Sequence, residues 1–292
     1  MFLVTGATGG IGRKVVRSLL LRQKQVRAFV RLNSRYGELE HRGAEIFIGD
    51  LRSEKDIQKA CEGVQYIISA HGSSDGDALA LDYRANIELI DRAVAVGVEH
   101  FVFISVLGAE RGYEDAPVFK AKRAVEKYLQ NSGINYTILR PAGLASNLLP
   151  LAERFRQTGI YLLVGDPKNR TSIVSTDDLA KIAVDCAEVA GARNQTLPVG
   201  GPEILQREDI PRILGNIFNQ EPIIINPPIL VVDGLRTFIG LLNPQTQKAL
   251  GTFRTLLDNE FFCTREEISQ VETIFNLKLE TLESFLRRYL AV

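Results

Sequence analysis

The sequence predicts an α/β protein, a doubly wound parallel sheet with a small, mainly helical C-terminal lobe. Three observations lead there. The chain opens on an apolar run, Phe2–Val4, followed by a glycine-rich turn and an amphipathic helix, the strand–turn–helix order of a parallel βα unit. Short apolar runs then alternate with helical patterns as far as Val199. Beyond Gly200-Gly201-Pro202 the pattern becomes mainly helical, so the expected division is 1–202 for the sheet and 203–292 for the lobe. At 292 residues and 45% hydrophobic, the chain can bury a core of that size.

Composition narrows the partners. Lys+Arg and Asp+Glu both total 35, a formal charge of +0, so no broad basic field exists to hold nucleic acid or anionic lipid. Cys61, Cys186 and Cys263 are far apart, form no CxxC pair and lie in apolar or helical surroundings. They read as structural thiols in a reducing compartment, which makes a cytoplasmic location the expectation. With the first strand starting at residue 2, no leader peptide is expected within this sequence. The longest apolar stretch, Ile229–Leu242, is interrupted by Asp233 and Arg236 and is too short for a membrane span. No internal repeat and no metal-ligand spacing is found, and no metal is expected.

In the opening helix Ile11, Val15, Val16, Leu19 and Leu20 share one face, so the glycine turn joins a buried strand to a helix packed on the sheet. That context gives the turn a use. One glycine permits the tight turn, a second lets backbone approach a pyrophosphate, and a third lets helix and strand pack closely. The phosphates would meet the free N–H groups and positive dipole end of the helix. Gly6, Thr8, Gly9, Gly10, Ile11 and Gly12 are therefore the candidate cofactor cradle of a Rossmann-type unit. Gly6, Gly9 and Gly12 give a TGxxGxxG spacing, and Gly6, Gly10 and Gly12 give TGxxxGxG; the loop alone does not choose between them.

Val26–Val30 reads as the second strand. Rossmann units selective for NAD place an acid at its end to bind the ribose 2′-OH, but here the position holds Arg31 and the next acid is Glu38. Arg31, Asn33, Ser34 and Arg35 offer the donors a 2′-phosphate would use, which favours NADP(H); the alternative is a solvated arginine at a strand end. Ala44–Ile48 is the third strand and leads through Gly49-Asp50-Leu51 to a helix over Glu54–Cys61, which Asp50 is placed to cap. Val64–Ala70 is the fourth, ending in Ser69-Ala70-His71-Gly72 at the carboxyl edge, where Ala70 and Gly72 let a cofactor pass closely. His71, beside a glycine, reads as a loop residue before it reads as a proton donor. A polar loop, Ser73–Asp77, precedes a helix over Asp82–Val96 with Ile87, Ile90, Ala93 and Val94 toward the sheet.

Phe101–Ile104, the fifth strand, delivers Ser105 to the same edge. Phe119-Lys120-Ala121-Lys122 begins a helix running to Ser132-Gly133, with Glu126 on its surface, and Tyr136–Leu139 is the sixth strand before Arg140-Pro141. Thr171–Val174 reads as a strand, Ser175-Thr176-Asp177-Asp178 caps a helix over Leu179–Val189, and Thr196–Val199 completes the sheet. In the lobe, Arg207–Phe218 shows Ile210, Ile213, Leu214 and Ile217 on one face, Thr264 and Glu267 form a capping box, and Leu282, Phe285, Leu286, Tyr289 and Leu290 form a last apolar stripe.

The run K-xxx-E…L-xx-SG-xx-YT-xx-RP from Lys122 to Pro141, with the glycine loop and Arg31, resembles the atypical short-chain dehydrogenase/reductases of the NmrA-like group over roughly residues 1–200. The resemblance implies that Asp50 accepts from the adenine amino group with Leu51 beside it, that Ala70, His71 and Gly72 pass the cofactor, that Pro141, Ala142 and Gly143 line the nicotinamide face, and that Asn147 stands at the substrate mouth. It also implies catalytic roles for Ser105, as a donor to developing negative charge, and for Lys122, as general acid or ribose anchor. Classical short-chain dehydrogenases carry a tyrosine four residues before that lysine; none of the eight tyrosines here has a lysine four residues on, and Val118 stands in its place. Two functions follow. One is an NADPH-dependent reductase moving hydride to a small carbonyl or unsaturated substrate, with Lys122, Tyr113 or water replacing the tyrosine; the other is a non-catalytic NADP(H)-binding regulator or assembly scaffold with a protein partner.

Overall fold

The apolar runs pair into one parallel sheet. A computed structural model describes residues 1–73, 77–113, 115–227, 252 and 254–291; the stretch Ile229–Leu242 lies outside them, as do residues 74–76 of the Ser73–Asp77 loop. In chain order the strands are β1 (Phe2–Thr5), β2 (Val26–Val30), β3 (Glu45–Ile48), β4 (Tyr66–Ser69), β5 (His100–Ile104), β6 (Tyr136–Pro141), β7 (Ile160–Leu162), β8 (Arg170–Thr171), β9 (Gln195–Val199), β10 (Leu205–Gln206) and β11 (Ile223–Ile225). The main sheet has the order β3-β2-β1-β4-β5-β6-β9, all parallel. Phe2 pairs with Val26 on one side and Tyr66 on the other, so the order reverses between β1 and β4. A crevice opens at such a switch point, outside the carboxyl ends of the strands.

Helices cover both faces. In chain order they are α1 (Gly10–Leu21), α2 (Gly37–His41), α3 (Glu54–Ala60), α4 (Ala85–Val96), α5 (Pro117–Asn131), α6 (Leu149–Thr158), α7 (Thr176–Asp185), α8 (Asp209–Phe218), α9 (Arg265–Phe275) and α10 (Leu282–Leu290). One face packs Val15, Val16 and Leu19 of α1 with Leu179, Ala183 and Val271 of α7 and α9; the other packs Ile57, Leu89, Ile90, Val125 and Leu129 of α3, α4 and α5. Each fully buried Val, Leu or Ile among them contributes about 1.5–3 kcal/mol. A third cluster forms the smaller lobe from α6, α8 and α10, with Phe155, Leu214 and Phe285 fully buried, and two short strand pairs, β7 with β11 and β8 with β10, edge it. The lobe thus draws on residues 145–173 as well as on the chain after Pro202, while α9 returns to the sheet beside β9. Among the described residues no helix is long and apolar enough to cross a membrane.

Local signals placed most ends well. Ser53 and Ser175 cap α3 and α7, and the Thr264–Glu267 capping box starts α9. Asp50 is not the cap of α3, since Ser53 holds that position; its carboxylate accepts from the Arg52 N–H at 2.9 Å. Two expectations on packing fail. Val94 is 49% exposed: Ala85, Asn86, Leu89, Ile90 and Ala93 are the buried residues of α4, and Val94, one residue past Ala93, turns about 100° away from that face. Thr171–Val174 is not a strand of the main sheet. Only Arg170 and Thr171 belong to β8, and the rest is tied to loops, with Ser172 N–H donating to Phe261 and Val174 N–H to Gly143.

Candidate active site

The glycine loop occupies the switch point. Gly6 has φ +65°, and a Cβ there would lie 2.6 Å from the Ala70 carbonyl oxygen, so β1 and β4 approach too closely for any side chain. A Cβ on Gly12 would stand 2.2 Å from the Gly6 oxygen, and one on Gly9 would stand 3.2 Å from it, whereas Gly10 would meet only Ser146 at 3.8 Å. The packing thus selects the Gly6, Gly9, Gly12 spacing. Gly9 is the N-cap of α1 without a side chain to offer, and its own N–H closes the turn on Gly6 at 2.9 Å. The first-turn N–H groups of Gly10, Ile11 and Gly12 are left for an anion by helix geometry.

A groove of about 310 Å³ runs from this cradle and is lined by Gly6, Thr8, Gly9, Arg31, Asp50, Leu51, Ala70, His71 and Gly72, joined by Phe29, Val30, Arg52 and Leu81. Arg52 and Leu81 carried no sequence signal. Arg31 also borders a second hollow with Asn33, Ser34 and Asp50, and among the described residues its guanidinium makes no ion pair. Arg35 borders neither hollow; its carbonyl accepts from Arg13 at 2.6 Å. Glu38, the next acid after β2, is held by Arg13, Arg17 and Arg42, which bring its carboxyl down to about 2. It is therefore turned onto α1 and its own helix, away from competition with a phosphate.

Ser105 and Lys122 lie further along the carboxyl edge. Lys122 is 8% exposed; its Nζ donates to the Ile104 carbonyl at 2.8 Å and stands 3.9 Å from Asp82 Oδ1. Burial pushes its pKa down, and the charges of Asp82 and Glu126 oppose that shift. Asp82, 1% exposed, takes Ser73 N–H and hydroxyl on Oδ2 and leaves Oδ1 without a hydrogen bond, and a Cβ on Gly72 would come within 3.3 Å of Oδ1. It links the lysine to the groove wall. Glu126 is no surface residue: it is fully buried, accepts both Arg140 Nε (2.8 Å) and Nη2 (2.7 Å), and takes the Ser105 hydroxyl proton at 2.6 Å. Ser105 thus spends its proton on a carboxylate, leaving its lone pairs for the site. Tyr113 is packed edge-on against Phe119 at 5.3 Å, with Arg111 at 3.4 Å from its hydroxyl. The Pro141 carbonyl takes Leu107 N–H at 3.0 Å and Ala142 N–H reaches Val199, which fixes the end of β6.

His71 lines the groove with its backbone side, but its ring is buried. Nε2 donates to the Leu81 carbonyl at 3.0 Å, so Nδ1 accepts from Thr5 hydroxyl at 2.8 Å. Burial, with Lys122 nearby, pulls its pKa down to about 4, and burial does the same to His100. The unfolded chain protonates both below about 6.5 while the folded protein does not, so stability must fall as pH drops from 6.5 toward 4. The expected loss between pH 7 and 5 is about 2 kcal/mol per histidine, measurable by urea unfolding, and His71→Asn should reduce the slope. A flat profile would show that the rings titrate normally.

Past β6 an apolar pocket of about 630 Å³ begins at Ala142 and Gly143 and extends between α6, β7 and the loop carrying Phe261. Asn147 is on its wall, together with Leu148, Leu163, Ile173 and Arg207. Sequence reading passed over Arg207, whose guanidinium donates to the carbonyls of Leu256, Leu257 and Asn259 and so holds that loop against the pocket.

A glycine cradle at a parallel-sheet switch point, with a groove running from it along the carboxyl ends of the strands, defines a Rossmann-type dinucleotide-binding protein of the atypical short-chain dehydrogenase/reductase kind. The model of the NAD(P)H-binding family matches residues 6–189, and the chain belongs to that family. The photosystem II assembly factor Ycf39 of Cyanophora paradoxa is similar at 27% identity over 298 residues, covering 98% of this chain and 91% of that one. The NAD(P)H azoreductase of Xenophilus azovorans is 32% identical over 214 residues, 72% of this chain and 71% of that one. The NADPH-dependent quinone oxidoreductase QOR2 of Escherichia coli, solved with NADPH, has the same fold, with a TM-score of 0.80 at 20% identity over 99% of this chain and 100% of that one.

Proposed function

We propose that this protein is an NADPH-dependent oxidoreductase that reduces a small, largely apolar carbonyl or unsaturated compound. The observation that carries the reading is the apolar pocket opening at Ala142 and Gly143, at the end of the strand next to β5, whose last carbonyl Lys122 holds. The bound nicotinamide would supply hydride there. Residues 1–202 would hold the cofactor, and 203–292, with the segment around α6, the substrate. Lys122 would give the proton, since burial makes its ammonium more acidic than usual, or anchor the ribose. Ser105, held by Glu126, would accept a hydrogen bond rather than donate one. The azoreductase and quinone oxidoreductase likenesses support the reading. NADPH absorbance followed with quinones, enones, azo compounds and aldehydes tests it; no substrate-dependent oxidation would sink it.

Cofactor choice is testable on its own. NADPH should bind about tenfold more tightly than NADH through Arg31, and Arg31→Ala should remove most of that preference. Equal affinities in the wild type would make Arg31 a solvated surface residue.

A second reading is favoured by the site's losses: Val118 in place of the tyrosine, a Tyr113 packed on aromatic rings, and a Ser105 proton already committed. In this reading the protein is a non-catalytic NADP(H)-binding regulator or assembly factor with a protein partner, as the likeness to Ycf39 along 98% of the chain supports. Either function fits the cytoplasm or another reducing compartment, given three buried free thiols.

A further inference from the structure

Arginine dominates the charged lining of the apolar pocket: among the described residues Arg154, Arg170 and Arg207 line it, and no aspartate or glutamate does. Arg170 is neutralised by Glu260, with Nε and Nη2 each 2.8 Å from a carboxylate oxygen. Arg207 is hydrogen-bonded by carbonyls, among them Asn259 at 3.0 Å and Val164 at 3.4 Å, and the charges of Asp166 and Asp258 act on it from nearby. Arg154 is exposed on α6, and among the described residues its guanidinium has neither an ion pair nor a hydrogen bond. Among the described residues, Arg154 therefore puts an unpaired cation at the border of a low-dielectric volume walled by residues such as Leu148, Leu151, Leu163 and Ile173. Such walls focus a positive potential into the cavity. They disfavour cationic ligands, and they leave a guanidinium fork open for a planar anion.

We infer that the pocket takes an apolar anion, a carboxylate on a hydrophobic body, with Arg154 as the residue that pairs with the carboxylate. This deepens the substrate reading above and rests on it only in identifying the pocket as the substrate site. The carboxylate would sit at the solvent-reached guanidinium while the hydrocarbon part displaces water from the apolar wall.

The test uses three ligands with one body and different charge: 2-naphthoate, 2-naphthamide and 2-naphthylmethylammonium. Their binding is measured by equilibrium dialysis at pH 7.5, with and without NADP⁺; the chain has no tryptophan, so naphthalene fluorescence reads each concentration cleanly. Naphthoate should bind about tenfold more tightly than the amide, and the ammonium least. Arg154→Gln should abolish the preference for the anion, and Arg154→Glu should shift it to the ammonium. Equal binding of all three, or an anion preference unchanged in both variants, would overturn the inference. Because no turnover is read, the outcomes separate. Anion preference with no NADPH oxidation of any substrate sinks the reductase reading alone, and turnover of neutral substrates without anion preference sinks this inference alone.

Discussion

Lys122→Met should abolish substrate-dependent NADPH oxidation while lowering NADPH affinity no more than about tenfold. Of the three protons on Nζ, one is held by the Ile104 carbonyl at 2.8 Å, and Asp82 at 3.9 Å is too far for a hydrogen bond, so two remain for ribose or substrate. General acid catalysis contributes about 10²–10⁴ in rate, and no tyrosine is placed to share that task. Loss of a ribose contact alone would show mainly in binding. Burial lowers the lysine pKa, so activity that needs the ammonium should be lost as pH rises through that lowered value, before an ordinary lysine would titrate. Tyr113→Phe should leave turnover intact, because its ring is held by Phe119 and Phe261. If Lys122→Met oxidised NADPH as fast as the wild type, the wild-type rate would be background hydride loss and the scaffold reading would stand.

Gly9→Val should abolish cofactor binding, with an affinity loss of at least about a hundredfold, and leave the fold intact. A Cβ at Gly9 meets the Gly6 carbonyl at 3.2 Å, close enough to displace the turn that aims the first amides of α1. Each charge-assisted hydrogen bond lost to a pyrophosphate costs about 1.5–3 kcal/mol, and the branched side chain would stand in the groove itself. The core does not depend on this position, so circular dichroism should match the wild type, and the disfavoured N-cap should cost only about 1 kcal/mol of stability. Normal NADPH binding by Gly9→Val would show that the cradle lies elsewhere. Gly10→Ala is the internal contrast: its Cβ has room beside Ser146 at 3.8 Å and should cost little.

Much of the fold was legible because local patterns encode backbone state. β2 runs Val26–Val30 as the apolar run required, Ser175 and Thr264 cap helices as their spacing required, and the glycine turn joins β1 to α1. The cradle residues, Arg31, Asp50 and the β4 loop could be named from sequence because the switch point brings consecutive loops to one edge. Glu126 was misread for an identifiable reason. Its place on α5 looks polar in the helical pattern, but Arg140 of β6, Arg123 and the Ser105 hydroxyl all bond it, and the partners distant in sequence, Arg140 and Ser105, make burial of the carboxylate tolerable.

The sequence by itself determined the chain order of the seven main-sheet strands, the glycine turn, and the absence of the tyrosine that accompanies the lysine in classical short-chain dehydrogenases. Tertiary structure decided what those parts face. Asp82 reaches Lys122 because the π-helical turn before α4 packs on α5, and that contact carries no periodic signal. The apolar pocket is assembled from Ala142–Leu151, Ile160–Ile173, Arg207–Ile225 and Leu256–Phe261, stretches whose individual patterns read only as helix, strand or loop. Amphipathic period fixes which side of an element turns inward, but the charge and shape of a cavity depend on which elements meet, a property of packing between segments distant in sequence.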